Sequence, residues 1–373
     1  MEQAGTKASG DNRGAVSFRY KYLDICRVIS IFSIVLLHCL SMWMYPVGSP
    51  DWIALSFYNS ALRFCLPMFF MVSGALILNP EKLLTISDLY MKRILRFFSA
   101  LLFWTLLYYI IVVYLRDPDF NWANFEIFDF TAKVLAGHPH HHWFLFAIIA
   151  AYICVPVLRL ITADKKITRY FLIAWGIFEI GLYTIDTFSI IFPNLTRSEA
   201  FLIDQVFSFV LRVKPLMFAG LIGYMVLGFY LHRNPPRIVP RRILYALGIL
   251  GLVITVVTTN VISMRGGELD ATLFSPGFAG IFTTTAALFV FFKSLCDRSQ
   301  KPESRFLITL SECSFGVFLV HDFSLVFLGG FGFSTGLFPS VISPVIVTSV
   351  HYALSFCVVY ALRKNSVFRR YFT

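Results

Sequence analysis

The chain has 373 residues, of which 57% are hydrophobic and only 14% are charged, and its formal net charge is +11. Soluble domains contain about 45–50% apolar and about 25% charged residues. Together with a mean hydropathy of +0.72, this composition excludes a water-soluble enzyme and a disordered chain. It predicts an integral membrane protein, in which an excess of basic residues is typical of the cytoplasmic loops.

Apolar runs long enough to cross a bilayer set the predicted architecture, since a spanning helix needs about 20 mostly apolar residues. The runs found in chain order are Tyr22–Met44, Phe57–Leu78, Leu95–Leu115, Trp143–Ile161, Tyr170–Phe192, Pro215–Leu231, Ile243–Ile262, Pro276–Phe292, Phe306–Leu328 and Ser340–Leu362. They predict an all-α polytopic membrane protein, a bundle of about ten transmembrane helices over residues 19–365. Residues 1–18 form a predicted disordered cytoplasmic tail without the apolar core of a signal peptide, and residues 366–373 a short cytoplasmic tail.

The positions of lysine and arginine predict the orientation of this bundle. With the N-terminus inside, alternate loops hold 24 basic residues in six groups of four, and the opposite loops hold only six. Cytoplasmic loops of membrane proteins carry such an excess. Both termini are therefore expected in the cytoplasm, and because topology explains the basic residues, no nucleic-acid partner is expected.

The first predicted helix carries Asp24, Arg27 and His38. At about 100° per residue, the eleven residues from Arg27 to His38 place both side chains on one face, about 16 Å apart along the axis. Ionisable groups in a membrane cost at least about 2.5–3.5 kcal/mol and face the protein interior. Asp24, one turn before Arg27, can pair with it. The alternatives are a snorkelling ion pair near the helix end and a histidine that only bonds a neighbouring helix.

Weaker polar insertions occur in four other predicted helices. Glu179 and Asp186 share one face of the fifth helix and are candidates for a proton path or for pairing with Arg63 of the second. His321 follows the segment Ser314–Val320 in the ninth helix. His351, in the tenth, has no motif around it and is interpreted as structural.

Four of the five residues His138–His142 are histidines, at the outer mouth of the fourth predicted helix. Consecutive histidines do not readily converge on one ion, and no acidic or cysteine ligand lies nearby in sequence, so no metal is expected. A substrate-contacting histidine, His141, beside the interfacial Trp143, is the favoured interpretation. The seven cysteines lack a C-x-x-C spacing and predict neither disulfides nor structural zinc.

Several motifs, taken together, resemble the acyltransferase 3 family of bacterial integral membrane acyltransferases. The resemblance covers about residues 19–365. In chain order the motifs are Asp24-x-x-Arg27 with Arg27-x10-His38, Pro67–Gly74 (P-x-F-F-x-x-S-G), Arg93-x-x-Arg96, His141–Leu145 (H-x-W-F-L), Tyr224–Leu231 and Ser314–His321. Two departures are I-C-R-V around Arg27 in place of G-L-R-G, and His142 in place of leucine.

The resemblance implies an O-acyltransferase in the bacterial inner membrane. Its donor would be acyl-CoA, most commonly acetyl-CoA, and its acceptor a sugar hydroxyl of a surface polysaccharide, lipopolysaccharide O-antigen or lipid-linked glycan. Arginine forks suit phosphate, and a neutral histidine can accept a hydroxyl proton. On this hypothesis the donor is held by Arg27, Arg93 and Arg96, the catalytic residues are His38, Arg27 and Asp24, and the acceptor is contacted by His141, Trp143 and His321.

Other mechanisms and functions stay open at the level of sequence. A two-step route would place the acyl group on Ser41 or Cys39, both close to His38. A proton-coupled transporter or polysaccharide exporter would also explain intramembrane charges, but such carriers often contain internal repeats, and the two halves show no convincing repeat. A receptor or structural protein would explain the loop charges without explaining the alignment of Arg27 with His38.

Overall fold

The computed structural model describes residues 19–114, 126–135, 143–187, 205, 208, 218, 220–298 and 304–373. This part of the chain is helical and contains no β-strand. Its α-helices are α1 (Lys21–Cys39), α2 (Pro50–Ala61), α3 (Cys65–Ile77), α4 (Ile86–Leu89), α5 (Leu95–Tyr108), α6 (Ile127–Leu135), α7 (Trp143–Ile153), α8 (Val155–Ala163), α9 (Lys165–Trp175), α10 (Leu182–Asp186), α11 (Ile222–Arg233), α12 (Ile238–Gly266), α13 (Ala279–Arg298), α14 (Arg305–Gly329), α15 (Ser343–Leu362) and α16 (Ser366–Tyr371).

The prediction of an all-α polytopic membrane protein is confirmed. Within the described residues, seven helical segments are long and apolar enough to cross a membrane, and there are eight if the bent pair α7–α8 counts as one span. The seven are Lys21–Met44, Pro50–Ile77, Ile86–Ile111, Ile238–Gly266, Thr272–Arg298, Arg305–Gly329 and Ser343–Leu362. The fifth and sixth predicted runs extend into residues outside the description. The count of about ten and the cytoplasmic termini therefore stay predictions.

The fourth predicted run is not one straight helix, because α7 and α8 meet at an angle of 53°. Pro156 lies in the first turn of α8. Proline has no backbone N–H and its ring crowds the preceding turn, so a helix bends or restarts there. The axis of α8 therefore departs from the axis of α7, which begins at Trp143.

The third predicted run begins earlier than its apolar residues suggest. The Thr85 hydroxyl accepts a hydrogen bond from the backbone N–H of Asp88 and caps a helix that starts at Ile86. A wider π-helical turn, Tyr90–Ile94, joins α4 to α5. Arg93 precedes the predicted run Leu95–Leu115, but it lies with Arg96 on this continuous helix, which fixes the spacing and direction of both side chains.

Helix α1 lies at the centre of the bundle, where it packs against α3, α13, α14 and α15. Its buried residues include Cys26, Ile31 and Val35, which belong to the main apolar core. Asp24 is buried beside them. The central position of α1 explains how a helix of this polarity is kept from lipid.

Two motif glycines allow α3 and α11 to approach closely. A Cβ atom on Gly74 would overlap the backbone of Met225, and one on Gly228 would overlap the backbone of Met71. Small residues permit such close helix contacts in membranes. The Ser-Gly end of the F-F-x-x-S-G motif and the glycine of the Tyr224–Leu231 motif therefore have a shared packing role.

Candidate active site

Asp24 is the centre of a buried hydrogen-bond network at the start of α1. The Arg19 guanidinium donates to both of its oxygens, from Nε at 2.7 Å and from Nη2 at 3.0 Å. The Ser311 hydroxyl also donates to Asp24. Arg27 donates from Nη1 to Ser311 Oγ at 3.1 Å and lies 3.9 Å from Asp24 Oδ1. Asp24 thus holds Arg27 in place both directly and through Ser311.

Arg27 opens into a cavity of about 270 Å³, which we call the arginine cavity. Four arginines and one carboxylate line it, together with polar and aromatic side chains. The lining residues are Arg27, Arg93, Arg96, Arg363, Glu312, Ser73, Ser311, Tyr152, Phe69, Phe97 and Phe315. Since Glu312 already pairs with Arg19 at 3.1 Å and with Arg363 at 3.4 Å, the cavity keeps an excess of positive charge.

The arginines predicted to bind the donor differ in exposure. Arg93 is exposed, whereas Arg96 and Arg27 are half-buried, and all three line the arginine cavity. Arg96 donates to the carbonyl oxygen of Thr373, and its guanidinium lies 5.5 Å from the centre of the Phe315 ring. The structure therefore brings together all three predicted donor-binding residues.

His38 opens into a second cavity of about 330 Å³, which we call the histidine cavity. Its walls are mainly aliphatic and aromatic, with one guanidinium and one imidazole. The lining residues are Ile34, Leu37, His38, Arg63, Cys65, Leu66, Trp143, Phe144, Phe274, Pro276 and Phe318. Trp143 and His38 are both exposed at this cavity, as a predicted acceptor contact and a predicted base require.

The same four helices line both cavities. Helix α1 contributes Arg27 to one and His38 to the other, and α3, α7 and α14 likewise contribute residues to each. Helix α3 runs antiparallel to α1, so its first turn faces the histidine cavity and Ser73 faces the arginine cavity. The two cavities therefore lie at different positions along the same group of helices.

Three phenylalanine rings lie where the two cavities approach each other. Phe69 lines the arginine cavity, whereas Phe144 and Phe318 line the histidine cavity. The ring centre of Phe144 lies 5.1 Å from that of Phe69 and 5.1 Å from that of Phe318. We call this set the phenylalanine contact; it joins a lining residue of the arginine cavity to two lining residues of the histidine cavity.

His321 lies behind His38 and does not line the histidine cavity. The His321 side chain is fully buried, with its ring centre 5.2 Å from that of His38. Its Nδ1 lies 2.6 Å from the carbonyl oxygen of Phe318, so Nδ1 carries the proton that is donated. Ser324 donates to the His321 carbonyl oxygen and lies 3.2 Å from Nδ1 of His351. The predicted contact of His321 with acceptor stays a prediction, but this geometry favours an effect through His38.

Two further expectations concern histidines and metals. His141 lies outside the described residues, so its contact with acceptor also stays a prediction. In the described part of the chain, no three histidine, cysteine, aspartate or glutamate side chains are placed to share a metal ion. All seven cysteines carry free thiols.

Four residues around the arginine cavity were not predicted as site residues: Arg19, Ser311, Glu312 and Arg363. In the sequence, Arg19 and Arg363 are noticeable only as basic residues of the predicted cytoplasmic side. Ser311 lies one helical turn before Ser314 of the motif, so the spacing predicts that both serines lie on the same face of the helix. Glu312 has no comparable signal in the sequence, because its ion pair with Arg19 forms only when α14 packs against α1.

The comparison with protein families agrees with the motifs now located in the fold. The model of the acyltransferase 3 family, described as an acyltransferase domain, matches residues 20–364. The chain therefore belongs to this family and is a membrane acyltransferase. No curated protein and no solved structure gives a significant match.

Proposed function

We propose that the protein transfers an acyl group, most commonly acetyl, from acyl-CoA to a sugar hydroxyl. The acceptor would be a surface polysaccharide, lipopolysaccharide O-antigen or lipid-linked glycan. The observation that carries the proposal is the division of α1 between two cavities, with Arg27 in one and His38 in the other. The family supports acyl transfer, and the two cavities suggest where donor and acceptor meet.

The arginine cavity is the proposed site of the CoA phosphates. Guanidinium groups bond phosphate with two parallel N–H donors and stay charged at any working pH. The exposed Arg93 and the half-buried Arg96 and Arg27 offer such donors around one cavity. The thin pantetheine arm would then extend past the phenylalanine contact and present the thioester in the histidine cavity.

His38 is the proposed general base. A sugar hydroxyl is a weak nucleophile and needs a positioned base, for which histidine has a suitable reference pKa of about 6.5. As the hydroxyl oxygen bonds to the thioester carbon, its proton passes to His38. The carbon–sulfur bond then breaks, and the CoA thiolate leaves and recovers a proton from His38. With donor and acceptor bound, the apolar walls of the histidine cavity would exclude water, which would otherwise compete as acceptor.

The bilayer gives this arrangement a direction. The proposed topology places the arginine cavity near the cytoplasm, where acyl-CoA is found, and the histidine cavity in the outer half of the bacterial inner membrane. Trp143 and His141 would then contact the glycan at the outer mouth. Both termini would lie in the cytoplasm, as the distribution of basic residues predicts.

The test is direct transfer by the purified full-length protein in lipid nanodiscs. Labelled acetyl-CoA and succinyl-CoA would be offered with neutral, acidic and lipid-linked glycans, and both CoA release and labelled glycan would be measured. We expect acceptor-dependent CoA release, with the label in an ester that mild base removes.

Two results would overturn the proposal. One is CoA binding that is unaffected by loss of Arg93 and Arg27. The other is label found on an amine or a lipid headgroup with every acceptor, and never on a sugar hydroxyl.

A further inference from the structure

Arg63 lies in the turn between α2 and α3 and lines the histidine cavity with His38. Its Nε donates to the carbonyl oxygen of Asn59 at 3.0 Å, and Nη2 donates to Oδ1 of the same residue. The Phe274 ring lies under the guanidinium, 3.9 Å from ring centre to Cζ. Asn59 therefore holds one edge of the guanidinium, and the Phe274 ring covers one of its faces.

The pairing of Arg63 with Glu179 or Asp186, one alternative from sequence, is not what the fold shows. Among the described residues, Arg63 forms no ion pair, and its Nη1 has no hydrogen-bond partner. The Asn59 amide is itself held, since its Nδ2 donates to the sulfur of Met42 at 3.2 Å. Asn59 thus orients the guanidinium without neutralising it.

The surroundings of Arg63 make an unneutralised cation costly. Among the described residues that line the histidine cavity, only Arg63 has a permanent charge, and nine of the other ten are aliphatic, aromatic or cysteine. A cation in such an environment is stabilised by an opposite charge, and the contact with an aromatic ring supplies only part of that stabilisation. An anionic ligand would supply the rest, and holding the guanidinium in advance lowers the entropy cost of binding it.

We infer that Arg63 is an anion-binding residue of the acceptor site. The acceptor in the histidine cavity then carries a carboxylate or phosphate close to the hydroxyl that is acylated. This inference rests on the proposed function and narrows its substrate class from sugars in general to acidic or phosphorylated sugars. Nη1 of Arg63 would hold the anion while His38 faces the hydroxyl.

The inference can be tested without any acyl donor. The full-length protein, in detergent free of phospholipid, would be titrated with methyl glucuronide and glucose 1-phosphate, with methyl glucoside as the neutral probe. Saturation-transfer NMR suits weak sugar binding. We expect at least one anionic probe to bind about tenfold or more tightly than the glucoside, and Arg63→Gln to reduce that preference to within twofold.

Matched variants separate a local effect from a change in overall charge. Arg265→Gln removes the same charge from an exposed residue outside the histidine cavity, and the preference should persist. Arg63→Lys keeps the charge but loses the fork held by Asn59, so it should keep only part of the preference.

Equal binding of anionic and neutral probes by the unmodified protein would overturn the inference, whatever the stability of the variants. So would a preference that survives Arg63→Gln. Loss of the preference in phosphatidylglycerol nanodiscs, with retention in detergent, would assign the anion to a lipid headgroup and also overturn it. Failure of acyl transfer with the preference intact would count against the proposed function alone.

Discussion

The two cavities along α1 differ in the way their charges are compensated. In the arginine cavity, guanidinium groups are linked through Asp24, Ser311 and Glu312 into one network. In the histidine cavity, one guanidinium is held by an amide and a ring within apolar walls. The first arrangement suits a polyanion bound at several points, and the second suits a reaction protected from water. The same four helices thus provide two separate environments, one for the proposed binding of the donor and one for the proposed transfer.

The sharpest way to break this comparison is to remove the proposed base. His38→Ala should reduce acyl transfer by about 10²- to 10⁴-fold, the range that a positioned general base contributes. The KM for acyl-CoA should change by less than about twofold, because the arginine cavity is untouched. Transfer kinetics with labelled acetyl-CoA measure both quantities.

His351→Ala is the matched histidine control, since His351 is buried beside Ser324 and lies outside both cavities. Full activity of the His38 variant would remove the general base from the account. A large rise in the KM for acyl-CoA would show that donor binding is not separate from the histidine cavity.

The complementary change is in the arginine cavity. Arg93→Ala removes a rim guanidinium, and we expect the KM for acyl-CoA to rise about tenfold or more, since a charge-assisted hydrogen bond contributes about 1.5–3 kcal/mol. Arg27→Lys should not restore Arg27 function, because an ammonium lacks the planar fork. The acceptor KM should be unchanged in both variants.

Arg298→Ala removes an exposed cation at the end of α13, outside the arginine cavity. It should leave donor KM unaltered. If it raises donor KM as much as Arg93→Ala does, general surface charge rather than the cavity accounts for donor affinity.

The sequence predicted that Arg27 and His38 share one helix but could not predict the partners of every group. The spacing of Arg27 and His38 is a local property of one helix, so helical geometry alone put them on one face. The contact of Asp24 with Ser311 joins residues 287 positions apart and depends on tertiary folding. The contact of Arg63 with Asn59 spans only four residues, so it is local and the sequence could have indicated it. Pro156 indicates the bend between α7 and α8, and Thr85 indicates the helix start that places Arg93 on a helix. A search for long apolar runs detects neither signal.

The connection between the cavities can be sharpened through the phenylalanine contact. Phe144→Leu removes one ring from the proposed path of the acyl arm and leaves an apolar side chain. We expect the rate ratio of butyryl-CoA to acetyl-CoA to rise about tenfold, since one methylene alters discrimination in an apolar pocket by about 10- to 200-fold. The ratio is obtained from transfer rates at matched donor concentrations.

Ile153→Leu provides a control on the same helix, because Ile153 is exposed and lies outside both cavities. An unchanged ratio in the Phe144 variant would mean that the acyl group does not pass this contact.

The smallest expected effect concerns the packing beneath the arginine cavity. Gly74→Ala places a methyl group against the backbone of Met225, and overpacking of this kind costs about 1–3 kcal/mol. The protein should unfold at a lower temperature, and donor KM should rise modestly because Ser73 moves with α3. Thermal unfolding in detergent gives the first quantity.

Gly176→Ala is the matched control, because a Cβ there meets no atom within 4 Å. Its unfolding temperature should not fall. Equal destabilisation by both substitutions would show that close contact of α3 with α11 is not the reason for the glycine at position 74.

The most direct test of the central claim is photo-crosslinking with two acyl-CoA analogues bound to the full-length protein. One carries the photoreactive group on the adenine and the other carries it on the acyl chain. The account predicts that the adenine probe labels peptides containing Arg93 or Arg363, and that the acyl probe labels peptides containing His38 or Trp143. Labelling of the same arginine-cavity peptides by both probes would contradict it.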